Sequence, residues 1–224
     1  MLSGHWSVRI HAACSAIAWC CALNALWIAF TALGGIVAGI GPATVTVCIL
    51  TRRRMRGEPV RLRDFAALWR REIVRGGVVV LPLLVVTAVL MANYMYFTAL
   101  GPDQTIARLA TLGALVMAVG VGAYVGPMYA HYDLPLRSYL IKASRFALAN
   151  LASTVVLLFV FVVSAVVSAM LPVLLVTISV GAWLSTSTWL CVRFFEQNED
   201  RLADATHGRQ EPVRLLPTRP LRIR

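Results

Sequence analysis

Two stretches hold most of the side chains with chemical potential: "TRRRMRGE" at residues 51–58 and "AHYDLP" at residues 130–135. His131 beside Tyr132 and Asp133 has the makings of an acid–base group, but such a group needs a nucleophile or a second positioned partner. None accompanies it in the sequence, so an interfacial anchor is expected there and no catalytic residue. Arg52, Arg53, Arg54 and Arg56 follow "GIGPATVTVCIL", a glycine-rich turn ahead of a short apolar segment. Glycine-rich turns before a helix N-terminus bind anions. Here the arginines stand at the far end of the segment, and no Lys-Ser/Thr pair closes a nucleotide-binding loop. No cofactor is expected. Cys14, Cys20, Cys21, Cys48 and Cys191 lie in apolar stretches without C-x-x-C or paired-histidine spacing. They read as small core fillers, with neither a metal site nor a disulfide framework.

The elements that carry these residues are set by composition. Hydrophobic residues make up 59% of the 224, and the mean hydropathy is +0.75, well above a soluble domain. Stretches 12–51, 76–102, 109–130 and 146–192 contain no Asp, Glu, Lys, Arg or His. Each exceeds the ~20 residues that cross a bilayer as helix. The first and last are too long for one crossing at ~1.5 Å per residue, so both fold back. In the last, Pro172 fits the first turn of a new helix, giving helices near 146–169 and 172–192. In the first, Gly34, Gly35, Gly39 and Gly41 supply the turn, and Pro42 starts a short helix that runs to about Arg54. No signal-type cleavage of the first span is expected, since the apolar run continues past any small-residue site.

Charge orients the chain. Nine arginines lie between Arg52 and Arg75, three basic residues in 131–145, and seven from Arg193 onward, whereas 96–108 holds only Arg108. The positive-inside rule places the three rich segments in the cytoplasm. Residues 60–75, "VRLRDFAALWRREIVR", put Leu62, Phe65, Ala66, Trp69 and Ile73 on one helical face and Arg63, Arg70, Arg71 and Arg75 elsewhere. This pattern predicts a basic amphipathic helix in the cytoplasmic interface. Arg52, Arg53, Arg54, Arg56, Phe65, Trp69, Arg70 and Arg71 are thus the candidate contacts to anionic lipid headgroups or to a partner protein. The net charge of +11 belongs to segments flanking spans and lacks the interleaved aromatics of a nucleic-acid binder, so no nucleic-acid partner is expected.

The expected fold class is an all-α polytopic transmembrane bundle: five long spans, one short membrane helix and the amphipathic interfacial helix. Six segments with both termini cytoplasmic are expected, the alternative being five with an external N-terminus and a re-entrant short helix. Residues 1–195 form one membrane domain and 196–224 a disordered basic cytoplasmic tail. All ten acidic residues fall outside the spans, which argues against a proton relay or ion-coupled carrier. Asn24 and Asn93 are the polar side chains expected to hydrogen-bond between helices, and Gly39, Gly41 and Pro42 mark close helix packing or a polar break at the midplane.

"LNALWIAF" (23–30), "GIGPAT" (39–44), "RRRMRGE" (52–58), "NYMYF" (93–97) and "YVGPMYAHYDLPL" (124–136), in this order, resemble the YesL-like family of bacterial integral membrane proteins. The resemblance covers about residues 10–195. It implies a multi-pass protein of the bacterial plasma membrane, of undetermined activity, often encoded beside carbohydrate uptake transporters; it implies no catalytic or binding residues. The expected function is an accessory component of a carbohydrate transport or sensing system, not an enzyme. A small-solute transporter or a homo-oligomeric structural protein are the alternatives. The cytoplasmic coupling string E-A-A-x-x-x-G of importer permeases is missing, which argues against the permease itself.

If the arginine run sets topology by charge, replacing Arg52, Arg53 and Arg54 together with lysine leaves membrane insertion intact, while glutamine at the same positions weakens orientation. Protease protection of inverted vesicles reads the difference.

Overall fold

A computed structural model describes the backbone of residues 3–209 and the side chains of residues 8–200. Helices α1 (Ser3–Leu33), α2 (Val37–Met55), α3 (Asp64–Ala99), α4 (Thr105–His131), α5 (Leu136–Ala149) and α6 (Leu151–Met170) follow in order. A one-turn helix α7 (Pro172–Leu174) then leads through a π-turn, Leu175–Ser179, into α8 (Val180–Arg209). No strand occurs among the described residues. Among the described residues, five helical stretches are long and apolar enough to cross a membrane: Val8–Leu33, Asp64–Ala99, Pro102–His131, Leu151–Met170 and Pro172–Asp200. With the shorter α2 they make the all-α bundle of five long spans and one short membrane helix. Large apolar side chains such as Val89, Ile106 and Phe159 are exposed, an exterior suited to hydrocarbon and not to water.

The chain reverses after α1 through a glycine-terminated cap. Ile36 N–H donates to Thr31 O at 2.9 Å and Gly35 N–H to Ala32 O at 3.1 Å, with Gly35 at φ 75°; this is the Schellman arrangement. Ile36 itself sits at φ 60°, ψ −74°, and Val37 N–H reaches back to Gly35 O at 2.8 Å, a strained γ-turn. Gly57, at φ 73°, ends α2 by the same cap, with Glu58 N–H on Arg53 O and Gly57 N–H on Arg54 O. The short helix therefore begins at Val37 and not at Pro42, which lies inside it. Gly39 and Gly41, expected in the turn, continue helically once the cap at Gly34 and Gly35 has reversed the chain.

Helix α2 is the centre. Ten of its residues are buried, from Gly39 to Thr51, and it packs against α1, α3 and α4. It runs antiparallel to α1: Gly39 lies on the backbone of Thr31, Trp27 Nε1 donates to Thr44 Oγ1 at 3.1 Å, and Arg54 meets Ser15. From Gly39 to Arg54 it travels about 22 Å at 1.5 Å per residue. At Gly41 a Cβ would stand 2.8 Å from Gly76 O and 2.9 Å from Gly77 Cα of α3. A Cβ on Gly126 of α4 would stand 2.9 Å from Cys48 Sγ. Small residues are thus required wherever α2 meets a neighbour. Leu23, Ala43, Val47, Leu50, Phe65, Trp69 and Leu184 form the apolar core around it.

Asn24, fully buried, ties α1 to the π-turn. Its Nδ2 donates to Val176 O at 2.6 Å and Leu175 O at 3.3 Å, and Gly181 N–H donates to its Oδ1 at 3.0 Å. A π-turn leaves backbone groups without their usual α-helical partners, and in hydrocarbon such groups need others. One amide supplies them. Asn93, by contrast, is exposed on α3, so it is not the second interhelical amide expected from sequence.

Further expectations change. The amphipathic stretch 60–75 is not a separate interfacial helix; from Asp64 it forms the first turns of the 36-residue α3. Its apolar face is turned into the bundle, with Phe65 0% and Trp69 6% exposed, their rings 5.0 Å and 5.4 Å from Phe30. Phe65 and Trp69 therefore contact the protein's own core and not lipid or a partner. Within 131–145, which the sequence leaves between two spans, α5 occupies Leu136–Ala149 and buries Tyr139, Ala143 and Ala147 at i, i+4, i+8 spacing. Cys14, read as a filler, is exposed. Finally, α8 continues to Arg209, past the expected start of a disordered tail at Glu196. Stretch 196–207 contains neither Gly nor Pro and is rich in Glu, Gln, Arg, Leu and Ala, all helix formers. The remainder of that expected tail, 210–224, lies outside the described residues.

The α2–α3 crossing yields a direct test. Gly41→Leu forces two backbones apart and costs on the order of 1–3 kcal/mol. Gly113→Ala meets nothing within 4 Å and stabilises α4 by up to about 1 kcal/mol. Thermal unfolding in detergent, followed by tryptophan fluorescence, separates the two.

Candidate functional site

The arginines at the end of α2 do not act as a block. Successive helical residues point about 100° apart, so the run fans out. Arg52 Nη1 donates to Ala130 O at 2.6 Å, holding one of the carbonyls at the C-terminus of α4, where a cation is favoured. Arg54 turns the other way, donating from Nη2 to Ser15 Oγ at 3.0 Å and lying 4.6 Å above the Trp19 ring, a cation–π contact. Arg53 projects between these two directions.

Below Arg52 and Arg53 opens a cavity of about 510 Å³. The end of α2 gives Arg52, Arg53 and Arg56; the start of α3 gives Arg71, Glu72 and Arg75; the end of α4 gives Tyr129 and His131. The loop into α5 closes it with Tyr132, Asp133 and Tyr139, and Glu58 stands at its rim. Both chemically suggestive stretches of the sequence, 51–58 and 130–135, thus meet in one basin.

Glu72 is the buried charge of the site, 6% exposed. The Tyr129 hydroxyl donates to its Oε2, and Arg71 Nε lies 3.8 Å from Oε1. A carboxylate out of water needs such donors. The loop is fixed by Tyr139, whose hydroxyl donates to Tyr132 O at 2.8 Å and accepts from Leu134 N–H at 2.9 Å. Burial holds that phenol above the ordinary tyrosine range, so it stays a donor at neutral pH. Its ring lies 5.0 Å from that of Tyr129, which joins the loop to the Glu72 pair. Arg56 is 3.9 Å from Glu58, while no carboxylate among the described residues pairs with Arg53 or Arg75.

Of the candidates read from sequence, Arg52, Arg53, Arg56 and Arg71 come together here. Arg54 belongs to the α1 contact instead, Arg70 is exposed outside the basin, and Phe65 and Trp69 are core. Asn24, Gly39, Gly41 and Pro42 sit at helix contacts elsewhere in the bundle. Glu72, Arg75, Tyr129 and Tyr139 were not singled out. The signal for Glu72 was its spacing: Phe65, Trp69, Glu72 and Gly76 share the buried face of α3, whereas Leu62 and Ile73, taken as part of the apolar face, are 42% exposed.

Tyr129→Phe leaves the Glu72 carboxylate buried with one donor fewer and lowers stability by about 1–3 kcal/mol. Adding Glu72→Gln removes the charge and recovers part of the loss. A double-mutant cycle of unfolding midpoints reads the coupling.

Residues 20–94 match the family model described as "Protein of unknown function, DUF624". That segment supplies the α2 and α3 walls of the basin; the α4–α5 wall lies beyond it. The chain is 33% identical over 141 residues to Uncharacterized protein YesV of Bacillus subtilis (strain 168), covering 61% of this chain and 67% of that protein. It is 30% identical over 124 residues to Uncharacterized protein YesL of the same organism, covering 53% of this chain and 56% of YesL. No solved structure matches significantly. Sequence similarity and the apolar helical bundle agree: this chain belongs to the DUF624, YesL-like family of membrane proteins of unknown function.

Proposed function

We propose that this protein is an accessory component of a carbohydrate transport or sensing system in the bacterial plasma membrane, acting by binding and not by catalysis. The observation that carries the reading is the basin. Charged and aromatic side chains from α2, α3, α4 and the α5 loop converge at one end of the bundle. Polar side chains deeper in the helices are engaged in packing: Asn24 with the π-turn, Tyr124 with Thr154 at 3.2 Å, and Ser168 with Ser179 at 2.7 Å. The positive-inside rule puts the basin in the cytoplasm, where a transporter's or sensor's soluble parts are within reach. Anionic headgroups neighbour the same face through exposed residues such as Arg70.

A second reading, a small-solute transporter in its own right, is favoured by one feature. The break from Pro172 through the π-turn, braced by Asn24, is the kind of interrupted helix that transporters use for midplane sites. Self-association as a structural role is the third outcome to be distinguished.

A photo-crosslinker at Arg71, whose side chain is 74% exposed, and another at Phe159 on the apolar surface, are the probes. Capture of a carbohydrate importer's subunit or its sensor from Arg71 is the expected result. Sugar uptake by the purified protein alone in liposomes would reject the accessory reading in favour of the transporter, and capture only of itself would favour the homo-oligomer.

A further inference from the structure

We propose that the basin is a binding site for a phosphate monoester, presented either as a soluble phosphorylated solute or as a lipid headgroup. The inference takes the basin of the preceding reading as the working site and assigns its ligand class. Five guanidinium groups and three carboxylates line it, an excess of two positive charges among these groups. A phosphate monoester carries about −1.5 to −2 at neutral pH, which matches that excess; a carboxylate or a phosphodiester offers only half of it.

The geometry adds a division of labour. Arg56 and Arg71 already face Glu58 and Glu72, and Arg52 holds Ala130 O. Arg53 and Arg75 enter the cavity from different helices without a carboxylate partner among the described residues. Guanidinium forks bind phosphoryl oxygens in pairs, so these two are the primary phosphate ligands. The remaining lining suits the organic part of the ligand: Asp133 accepts hydroxyls, and Tyr132, edge-on to His131 with centroids 4.5 Å apart, offers an aromatic wall. At about 510 Å³ the cavity falls within the usual size of small-molecule sites. Tyr139 and the Glu72–Tyr129 pair fix its walls before any ligand arrives, which lowers the ordering cost of binding.

The test uses the full-length protein in nanodiscs of phosphatidylcholine, titrated calorimetrically with inorganic phosphate, glycerol phosphate and, as the uncharged counterpart, glycerol. Both phosphates bind and glycerol does not. Arg53→Gln and Arg75→Gln each weaken binding about tenfold or more, with lysine at either position intermediate because charge remains and the fork is lost. Glu58→Gln, which removes a rim carboxylate, tightens binding several-fold, a change that no folding defect produces. Discs containing phosphatidic acid separate the sources: loss of glycerol phosphate binding there assigns the site to the lipid headgroup, and retention assigns it to a soluble ester. Absence of phosphate binding in neutral discs, equal binding of glycerol, wild-type affinity in both arginine variants, or weaker binding in Glu58→Gln would each overturn the proposal. Because no transporter is present in the titration, its failure leaves the accessory reading standing, and failure of the crosslinking leaves the phosphate site standing.

Discussion

The rest of the structure depends on the burial of α2. Between Val37 and Thr51 it has no side chain larger than leucine or isoleucine, and its contacts to α1, α3 and α4 are made through Gly39, Gly41 with Pro42, and Cys48. Helices in hydrocarbon gain little from burying apolar surface against one another, so association rests on close packing and on hydrogen bonds. A thin central helix lets three neighbours approach at once. It also lets a segment with only fifteen uncharged residues before Arg52 sit at membrane depth, since the protein surrounds it and lipid thickness does not alone determine its length.

That placement decides where charge goes. The Schellman cap at Gly57 ends α2 just after its arginines and turns the chain toward α3, whose own first turns are arginine-rich. Because α2 is central, its last turn is enclosed by the ends of α3 and α4 and does not project as a free basic finger. Arg52 caps α4 and Arg54 grips α1, so two of the three consecutive arginines brace the bundle. Arg53 is left to line the cavity, whose wall from α3 includes Arg75. A charge run that suffices for membrane orientation has been given separate structural assignments, one residue at a time.

Much of this was legible in the sequence where one residue type permits one answer. Pro172 cannot continue α6 and does begin α7; Gly34 and Gly35 do reverse the chain; Asn24, an amide amid apolar residues, does bond between helices. The errors arose where two answers share a pattern. An amphipathic arginine-rich helix reads alike whether its apolar face meets lipid or protein, and only the fold, in which Phe65 and Trp69 are buried against Phe30, shows that they face inward. Helix α5 is hard to read from sequence because its buried stripe is one tyrosine and two alanines, Tyr139, Ala143 and Ala147, among basic residues. The basin lay hidden for a different reason: its walls are some seventy residues apart in sequence, and no local spacing relates Arg53 to Tyr129.

Glu72 and Tyr129 are the seam that joins those walls. Burying a carboxylate is costly unless it is hydrogen-bonded, so once α3 is committed to presenting Glu72 inward, α4 must end with a donor at the right height. Tyr129 does so, and its ring stacks in turn near Tyr139, which closes the loop through the backbone of Tyr132 and Leu134. The loop "HYDLP" is thereby held in place by a chain of contacts that begins at a charge on a different helix. The close contact of Gly126 with Cys48 already ties α4 to α2, and the polar pair adds a tie between α4 and α3. A slip of α4 along α3 would strand the Glu72 carboxylate, so the Glu72–Tyr129 bond acts with the glycine contacts to keep the register in which Arg53, Arg75 and Asp133 line one cavity.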